Sequence, residues 1–252
     1  MKNNENTMNT QPLIITPTRL YLIRHGETAW SLSGQHTGRT DLRLTTHGED
    51  QVRELAPRLE EIAFAHVLTS PLLRARQTCE LAGLAGCAKI EPDLVEWDYG
   101  DYEGQRPADV RAERADWNIY QDGCPHGETP AQITARADHV IAYLRTLGGN
   151  VALFSHGQFG RVLATRWIGL PLTEARHFLL DTASVSVLGY DQHQPQVSVI
   201  AQWNLASGAT INPLPGARVG DARPMKQRAL ERWENEGGEL IEPQGTLPAT
   251  EK

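Results

Sequence analysis

Residues 20–26 read Leu20-Tyr21-Leu22-Ile23-Arg24-His25-Gly26. Four consecutive apolar residues break off at a cation, an imidazole and a glycine. A short apolar run with an abrupt polar stop reads as a buried strand running into a loop. Two more segments repeat the pattern. Residues 66–69 (HVLT) run into Ser70-Pro71-Leu72-Leu73-Arg74, and residues 151–155 (VALFS) run into His156-Gly157. Residues 184–190 and 197–203 read as two further strands, and residues 88–96 as short extended segments.

Between the strands the apolar period becomes helical. Thr46-His47-Gly48-Glu49 has capping-box spacing, and Val52, Leu55, Ala56, Leu59 and Ile62 then recur at helical intervals. Pro57 inside this pattern is expected to kink or shorten the helix. Ser70-Pro71 places a proline as the first residue of a second helix, which reaches about Ala82 and stops near Gly83. Thr129-Pro130-Ala131-Gln132 is another capping box. It precedes an apolar stripe of Ile133, Ala137, Val140, Ile141 and Leu144, and Gly148-Gly149 ends that helix. Gly157 turns the chain into a helix over about 159–168.

Strands alternating with helices predict an α/β fold, a three-layer α/β/α sandwich around a mostly parallel sheet. Residues 97–128, rich in charge, Trp and Tyr, break the alternation and read as a small cap insertion over the sheet edge. The expected organisation is a loose N-terminal arm over 1–17, a folded domain over 18–203 and a Pro/Gly-rich tail over 204–252. Within the tail, 225–234 (MKQRALERWE) reads as a short helix.

Composition narrows the function classes. A chain of 252 residues suits one large domain or two small ones and can bury a core without disulfides or structural metal. Its net charge of −7 argues against general nucleic-acid affinity, though one local basic pocket can override the global sign. The cysteines Cys79, Cys87 and Cys124 are odd in number and form no C-x-x-C. They read as small buried hydrophobes in a reducing cytosol. No apolar run approaches the roughly 18 residues of a membrane helix, and residues 1–12 hold no apolar signal core. A cytoplasmic protein without membrane partners is therefore expected.

Three polar clusters, each just past a strand, are the strongest chemical feature. Ligands of open α/β sheets bind outside the carboxyl ends of the strands. The clusters therefore predict one pocket holding Arg24, His25, Arg74 and His156, with Glu96 following another extended segment. Two guanidiniums match the oxygens of a phosphate. Glycines after each histidine, Gly26 and Gly157, let backbone approach the anion closely. A neutral imidazole can take up a phosphoryl group, and a second can donate a hydrogen bond to its oxygens. A protonated carboxylic acid can deliver a proton to the leaving alcohol. Taken singly, each of these residues reads as a structural histidine, a surface charge or a solvated carboxylate. Their joint placement after strands favours catalysis.

Leu22-Ile23-Arg24-His25-Gly26-Glu27-Thr28 resembles the R-H-G motif of the histidine phosphatase superfamily, in the branch with phosphoglycerate mutases. The resemblance continues through Gly34-Gln35-His36-Thr37-Gly38, Ser70-Pro71 with Arg74, and Ser155-His156-Gly157, covering about residues 18–203. The stretches from Glu96 to Gly104 and from Asp122 to Pro125 are similar to the subgroup of acid phosphatases and sedoheptulose-bisphosphatase-type enzymes. The resemblance implies that His25 is the phosphorylated nucleophile and that Arg24, Arg74 and His156 bind the phosphoryl group. It implies that Glu96 is the acid for the leaving group, then the base for water. It places Ser31, Thr37, Gly38 and Gly157 at substrate-contacting positions. Ser31 stands where the family often has Asn and keeps one hydroxyl donor.

The segment between Glu96 and His156 is shorter than in the cofactor-dependent mutases and carries Arg106, Arg111 and Arg114 with no adjacent Arg pair. Hydrolysis is therefore favoured over transfer to a second sugar acid. The remaining histidines form no H-E-x-x-H pattern, and Asp/Asn ligands near strand ends are missing, so neither a metal nor a cofactor is expected. The expected partner is a small phosphorylated substrate. Mutase-type phosphoryl transfer and a non-catalytic phosphate-binding role on the same fold are the alternatives. The resemblance allows a homodimer without deciding it.

Overall fold

The apolar run at 20–23 forms the middle of strand β1 (Arg19–Arg24), and all four side chains are almost completely buried. The computed structural model describes residues 18–206 and 208–211. The arm at 1–17, most of the tail and the expected helix at 225–234 lie outside the described residues. After β1 come α1 (Ala29–Ser33), α2 (Thr46–Glu60), β2 (His66–Thr69), α3 (Leu73–Leu81) and β3 (Ala88–Ile90). The chain continues through α4 (Pro107–Glu113), α5 (Ile119–Asp122), α6 (Pro130–Leu144), β4 (Asn150–Ser155), α7 (Gly157–Trp167), β5 (Val185–Tyr190) and β6 (Ser198–Leu205).

One six-stranded sheet has the order β3-β2-β4-β1-β5-β6. β1, β2, β3 and β4 pair in parallel, and β5 joins β1 antiparallel. β1 and β4 therefore lie at the centre, with Arg24 paired to Ser155 at their carboxyl ends. Alternation along β1 sends side chains to opposite faces. Leu20 and Leu22 join Leu153 of β4 with Ile133, Ala137, Val162 and Leu163 of α6 and α7 in one core. Tyr21 turns the other way and meets Phe64, just after α2, edge-on at 5.2 Å. Helices thus flank the mostly parallel sheet, as the alternation predicts.

The ends of α2 and α3 differ from the sequence reading. The cap of α2 is Thr45, whose hydroxyl accepts from Gly48 N and donates to Glu27; Glu49 of the Thr46 spacing pairs with Arg53 instead. Pro57 does not end α2, which runs on to Glu60. It sits on an exposed face in the last turns, where the carbonyl it cannot serve can be solvated. Helix α3 begins at Leu73, not at Pro71. Leu72 is extended and caps nothing, and the Leu73 N–H is accepted by Asp41 at 2.6 Å.

The insertion at 97–128 packs on loops that follow the two central strands. Its Tyr99 stacks on His36 at 4.3 Å, after β1, and its Tyr120 hydroxyl donates to Gln158, after β4. Nothing in the sequence of an insertion says which way it folds back. Helix α6 matches its reading in cap and apolar stripe, but it ends at Leu144, short of Gly148-Gly149. Thr129 and Gln132 form the reciprocal capping box, and Ile133, Ala137, Val140, Ile141 and Leu144 are all buried.

Candidate active site

The three strand-end clusters meet. The His25 and His156 rings lie 5.3 Å apart, and both side chains are buried. Their hydrogen bonds fix opposite tautomers. His25 Nδ1 faces the Gly26 carbonyl at 2.7 Å. A carbonyl only accepts, so Nδ1 carries the proton and Nε2 keeps a bare lone pair. His156 Nδ1 faces Arg74 Nε at 3.1 Å. A guanidinium only donates, so this Nδ1 is bare and Nε2 carries the proton. That proton points to the Ser70 hydroxyl, 2.8 Å away. The site therefore sets a nucleophilic nitrogen beside an N–H donor.

Electrostatics keep both rings neutral. Burial, then Arg74 and Arg24, push His25 well below the ordinary histidine range. Burial, then Arg74, do the same for His156. Protonating either would place an imidazolium against two guanidiniums in a water-poor pocket.

Arg24 ends β1 and donates one Nη1 bond to the Leu180 carbonyl. Its buried Nε has no protein partner, so a donor remains for an anion. Arg74, on α3, is fully buried. Its Nε serves His156, Nη1 the Thr40 carbonyl, and Nη2 the carbonyls of Thr37 and Gly38, each at 3.0–3.1 Å. One of its five N–H groups is left, together with its charge. Burial lowers the pKa of both arginines, and Glu96 is the largest opposing influence on each. Glu96 therefore lies within electrostatic reach of both.

Glu96 follows a short 3-10 turn and is itself buried. Oε1 accepts from Trp97 N at 2.9 Å and Phe159 N at 2.8 Å, and Oε2 from Gln158 N at 2.9 Å. Two of those donors are orphan amides in the first turn of α7, a natural seat for an acidic group. Three of about four acceptor positions are filled, leaving one on Oε2 to carry a proton. Arg136 holds the segment from behind. It donates to the carbonyls of Asp93 and Val95 at 2.7 and 2.8 Å and pairs with Glu128 at 2.7 Å.

The remaining sequence-nominated positions are placed differently. Ser31 caps α1. Its hydroxyl donates to the Thr28 carbonyl and accepts from Thr28 N, so its proton is already committed. The carbonyls of Thr37 and Gly38 hold Arg74, and the Gly38 N–H is taken by Glu103. Gly157 is tight against Arg24: a side-chain carbon there would stand 3.3 Å from the guanidinium. At Gly26 a side-chain carbon would meet the Gly48 carbonyl at 2.6 Å. These two glycines thus make room for an arginine and for α2.

Sequence reasoning left out Ser70 as a site residue, although its position in the cluster with Arg74 was a usable signal. It also missed the Leu180 carbonyl and Ala183, which sits at φ 52 and donates its N–H to the His25 carbonyl. Backbone contacts of that kind leave no mark in side-chain chemistry. Among the described residues no group of three or more His, Cys, Asp or Glu is placed to hold a metal ion, and no helix is long and apolar enough to cross a membrane.

His36 carries a consequence for stability. It is buried, stacked on Tyr99 and edge-on to Trp117, and burial followed by Arg111 pushes it down to about 4. An unfolded histidine titrates near 6.5. Below that pH the unfolded chain binds the proton first, so stability falls on acidification, by about 3 kcal/mol for this residue once pH reaches about 4. His25 and His156 add losses of the same sign. Urea unfolding of His36→Phe should therefore show a shallower decline between pH 6.5 and 4 than the wild type. An identical decline would contradict the assignment.

An open α/β sheet that presents two guanidiniums, two neutral imidazoles and a carboxylate at its strand ends can hold a phosphate-sized anion and act on it. The chain belongs to the histidine phosphatase superfamily (branch 1), whose family model matches residues 20–202. It is 40% identical over 201 residues to an acid phosphatase of Mycobacterium tuberculosis, covering 78% of this chain and 95% of that one. It is 33% identical to sedoheptulose 1,7-bisphosphatase of Saccharomyces cerevisiae, covering 71% and 89%. A probable phosphoglycerate mutase of Escherichia fergusonii is 32% identical, with 84% and 97% covered. Among solved structures, the product of an open reading frame from Mycobacterium tuberculosis superposes with a TM-score of 0.70 at 38% identity, covering 75% of this chain and 98% of that one. Family and relatives together support an enzyme of the phosphatase class.

Proposed function

We propose that the protein is a metal-independent phosphomonoesterase that hydrolyses small phosphate esters through a phosphohistidine on His25. The observation that carries this reading is the tautomer of His25. The Gly26 carbonyl holds the proton on Nδ1 and leaves Nε2 free to attack. Nε2 forms a bond to phosphorus as the ester P–O bond breaks, and Glu96 gives its proton to the departing alkoxide. Arg24, the remaining Arg74 N–H and the His156 Nε2–H stabilise the charge on the transferring oxygens. Glu96, now a carboxylate, takes a proton from water. That water attacks phosphorus, the N–P bond breaks, and inorganic phosphate leaves.

Because His25 is held neutral well below pH 6.5, the nucleophile stays competent in acid. Activity is expected from acidic to neutral pH. Sugar phosphates, including bisphosphates, and phosphoglycerate-like acids are the proposed substrates, of a kind with those named for the relatives. We place the enzyme in the reducing cytosol, supported by its three free cysteines. The relatives named as probable phosphoglycerate mutases keep phosphoryl transfer as the second reading.

Phosphate release in the presence of EDTA tests the proposal. The panel is p-nitrophenyl phosphate, 3-phosphoglycerate and sedoheptulose 1,7-bisphosphate. Release that survives the chelator is expected. Activity lost to EDTA and restored only by a divalent metal would contradict it, and interconversion of phosphoglycerates without net phosphate would favour the mutase.

A further inference from the structure

Arg74 is not positioned by its own helix alone. Three of its guanidinium contacts go to the carbonyls of Thr37, Gly38 and Thr40. Those carbonyls belong to an irregular segment between α1 and α2, with no ladder of its own to hold it. The cap insertion supplies what holds it. Gly38 N donates to both carboxylate oxygens of Glu103 at 3.0 Å, and Thr40 N donates to Oε1 at 3.0 Å. Close packing fixes the same point. A side-chain carbon on Gly38 would stand 2.6 Å from the Trp97 carbonyl and 2.7 Å from Glu103 Oε2.

The peptide group joining Thr37 to Gly38 is bonded at both ends. Its N–H faces the Glu103 carboxylate and its carbonyl faces Arg74 Nη2. Anion, peptide dipole and cation therefore line up, an arrangement in which each hydrogen bond polarises the next. Arg74 passes the constraint on. Its Nε fills His156 Nδ1 and so sets which ring nitrogen of His156 carries the proton. Glu103 is one of two carboxylates in the Gly100–Glu103 stretch, and the other, Asp101, pairs with exposed His126 instead. Both oxygens of Glu103 are committed to backbone N–H groups of the 37–40 segment.

We propose that Glu103 is a positioning residue for the phosphate site. It acts from the cap, through the segment at 37–40, on the orientation of Arg74 and the tautomer of His156. The effect on turnover rests on the phosphatase reading; the effect on anion binding does not.

The test uses Glu103→Ala, Glu103→Asp and Glu103→Gln in the full chain, with Asp101→Ala as a cap variant outside the relay. Calorimetry with inorganic phosphate gives the anion affinity. Imidazole ¹⁵N NMR reads the His156 tautomer, and kcat and KM come from p-nitrophenyl phosphate. Loss of charge-assisted hydrogen bonds that orient the guanidinium is expected to weaken phosphate binding about tenfold in the Ala variant. The His156 Nδ1 resonance should shift with it. Asp keeps the charge but falls short of both N–H groups, so it should show the same changes if Ala does not fold. Gln keeps an oxygen for Gly38 and Thr40 but loses the charge and turns an amide N–H toward Gly38 N, so its affinity should fall between those of Ala and wild type, and Asp101→Ala should match wild type. A lower thermal midpoint with unchanged phosphate affinity and unchanged His156 resonances in the Ala or Asp variant would overturn the proposal. If wild type released no phosphate, the phosphatase reading would fall, while the affinity and NMR readouts would still decide the role of Glu103.

Discussion

His25→Ala is expected to lower kcat by about four orders of magnitude or more while leaving the protein folded. The substitution removes the one ring nitrogen of the two facing histidines whose lone pair is unoccupied. His156 cannot replace it, because Arg74 occupies its Nδ1 and its Nε2 carries a proton facing Ser70. Folding should survive, since His25 makes a single side-chain hydrogen bond, to its neighbour Gly26. Phosphate binding should survive as well, because the guanidiniums and the His156 N–H remain. The pattern to look for is near-native affinity for inorganic phosphate with no turnover. Retention of most activity would sink the phosphohistidine mechanism.

Glu96→Gln should separate the two halves of the reaction. An amide can neither give a proton to an alkoxide nor take one from water. On an alkyl phosphate the variant should lose about 10²–10⁴-fold in kcat. With p-nitrophenyl phosphate the leaving phenolate needs no proton, so phosphorylation should stay fast while hydrolysis of the phosphoenzyme stalls. Stopped-flow measurements should then show a burst of p-nitrophenol equal to the enzyme present, followed by slow release. Equal losses on both esters with no burst would remove Glu96 from the acid and base roles. The amide also places a donor against one of the N–H groups of Trp97, Gln158 and Phe159. A modest fall in thermal midpoint should accompany the kinetic change without explaining it.

The sequence located the site because its chemistry sits where strands stop. The runs at 20–23, 66–69 and 151–155 each end in polar residues, and a parallel sheet gathers its carboxyl ends on one rim. That rule places Arg24, His25, Arg74 and His156 together from the sequence alone. What escaped it was work done by backbone. The carbonyls of Thr37, Gly38, Thr40 and Leu180 orient the two arginines, yet any residue type supplies a carbonyl. Thr45 and Thr46 are adjacent and chemically equal, and contacts with Glu27, made by the Thr45 hydroxyl and N–H and by the close approach of Gly48, set Thr45 as the cap of α2. The insertion announced itself by breaking the alternation, but its direction depends on stacking between Tyr99 and His36 and on the grip of Glu103. Both are contacts between residues distant in the chain, and helical or strand periodicity carries no information about them.

The central claim is that phosphorus passes through Nε2 of His25. The direct measurement is mass spectrometric mapping of the phosphoenzyme, trapped with p-nitrophenyl phosphate in Glu96→Gln and handled without acid, with ³¹P NMR to assign the nitrogen. The account predicts one phosphate per chain, on His25, attached at Nε2. Phosphate on another residue, attachment at Nδ1, or turnover with no trapped intermediate would contradict it.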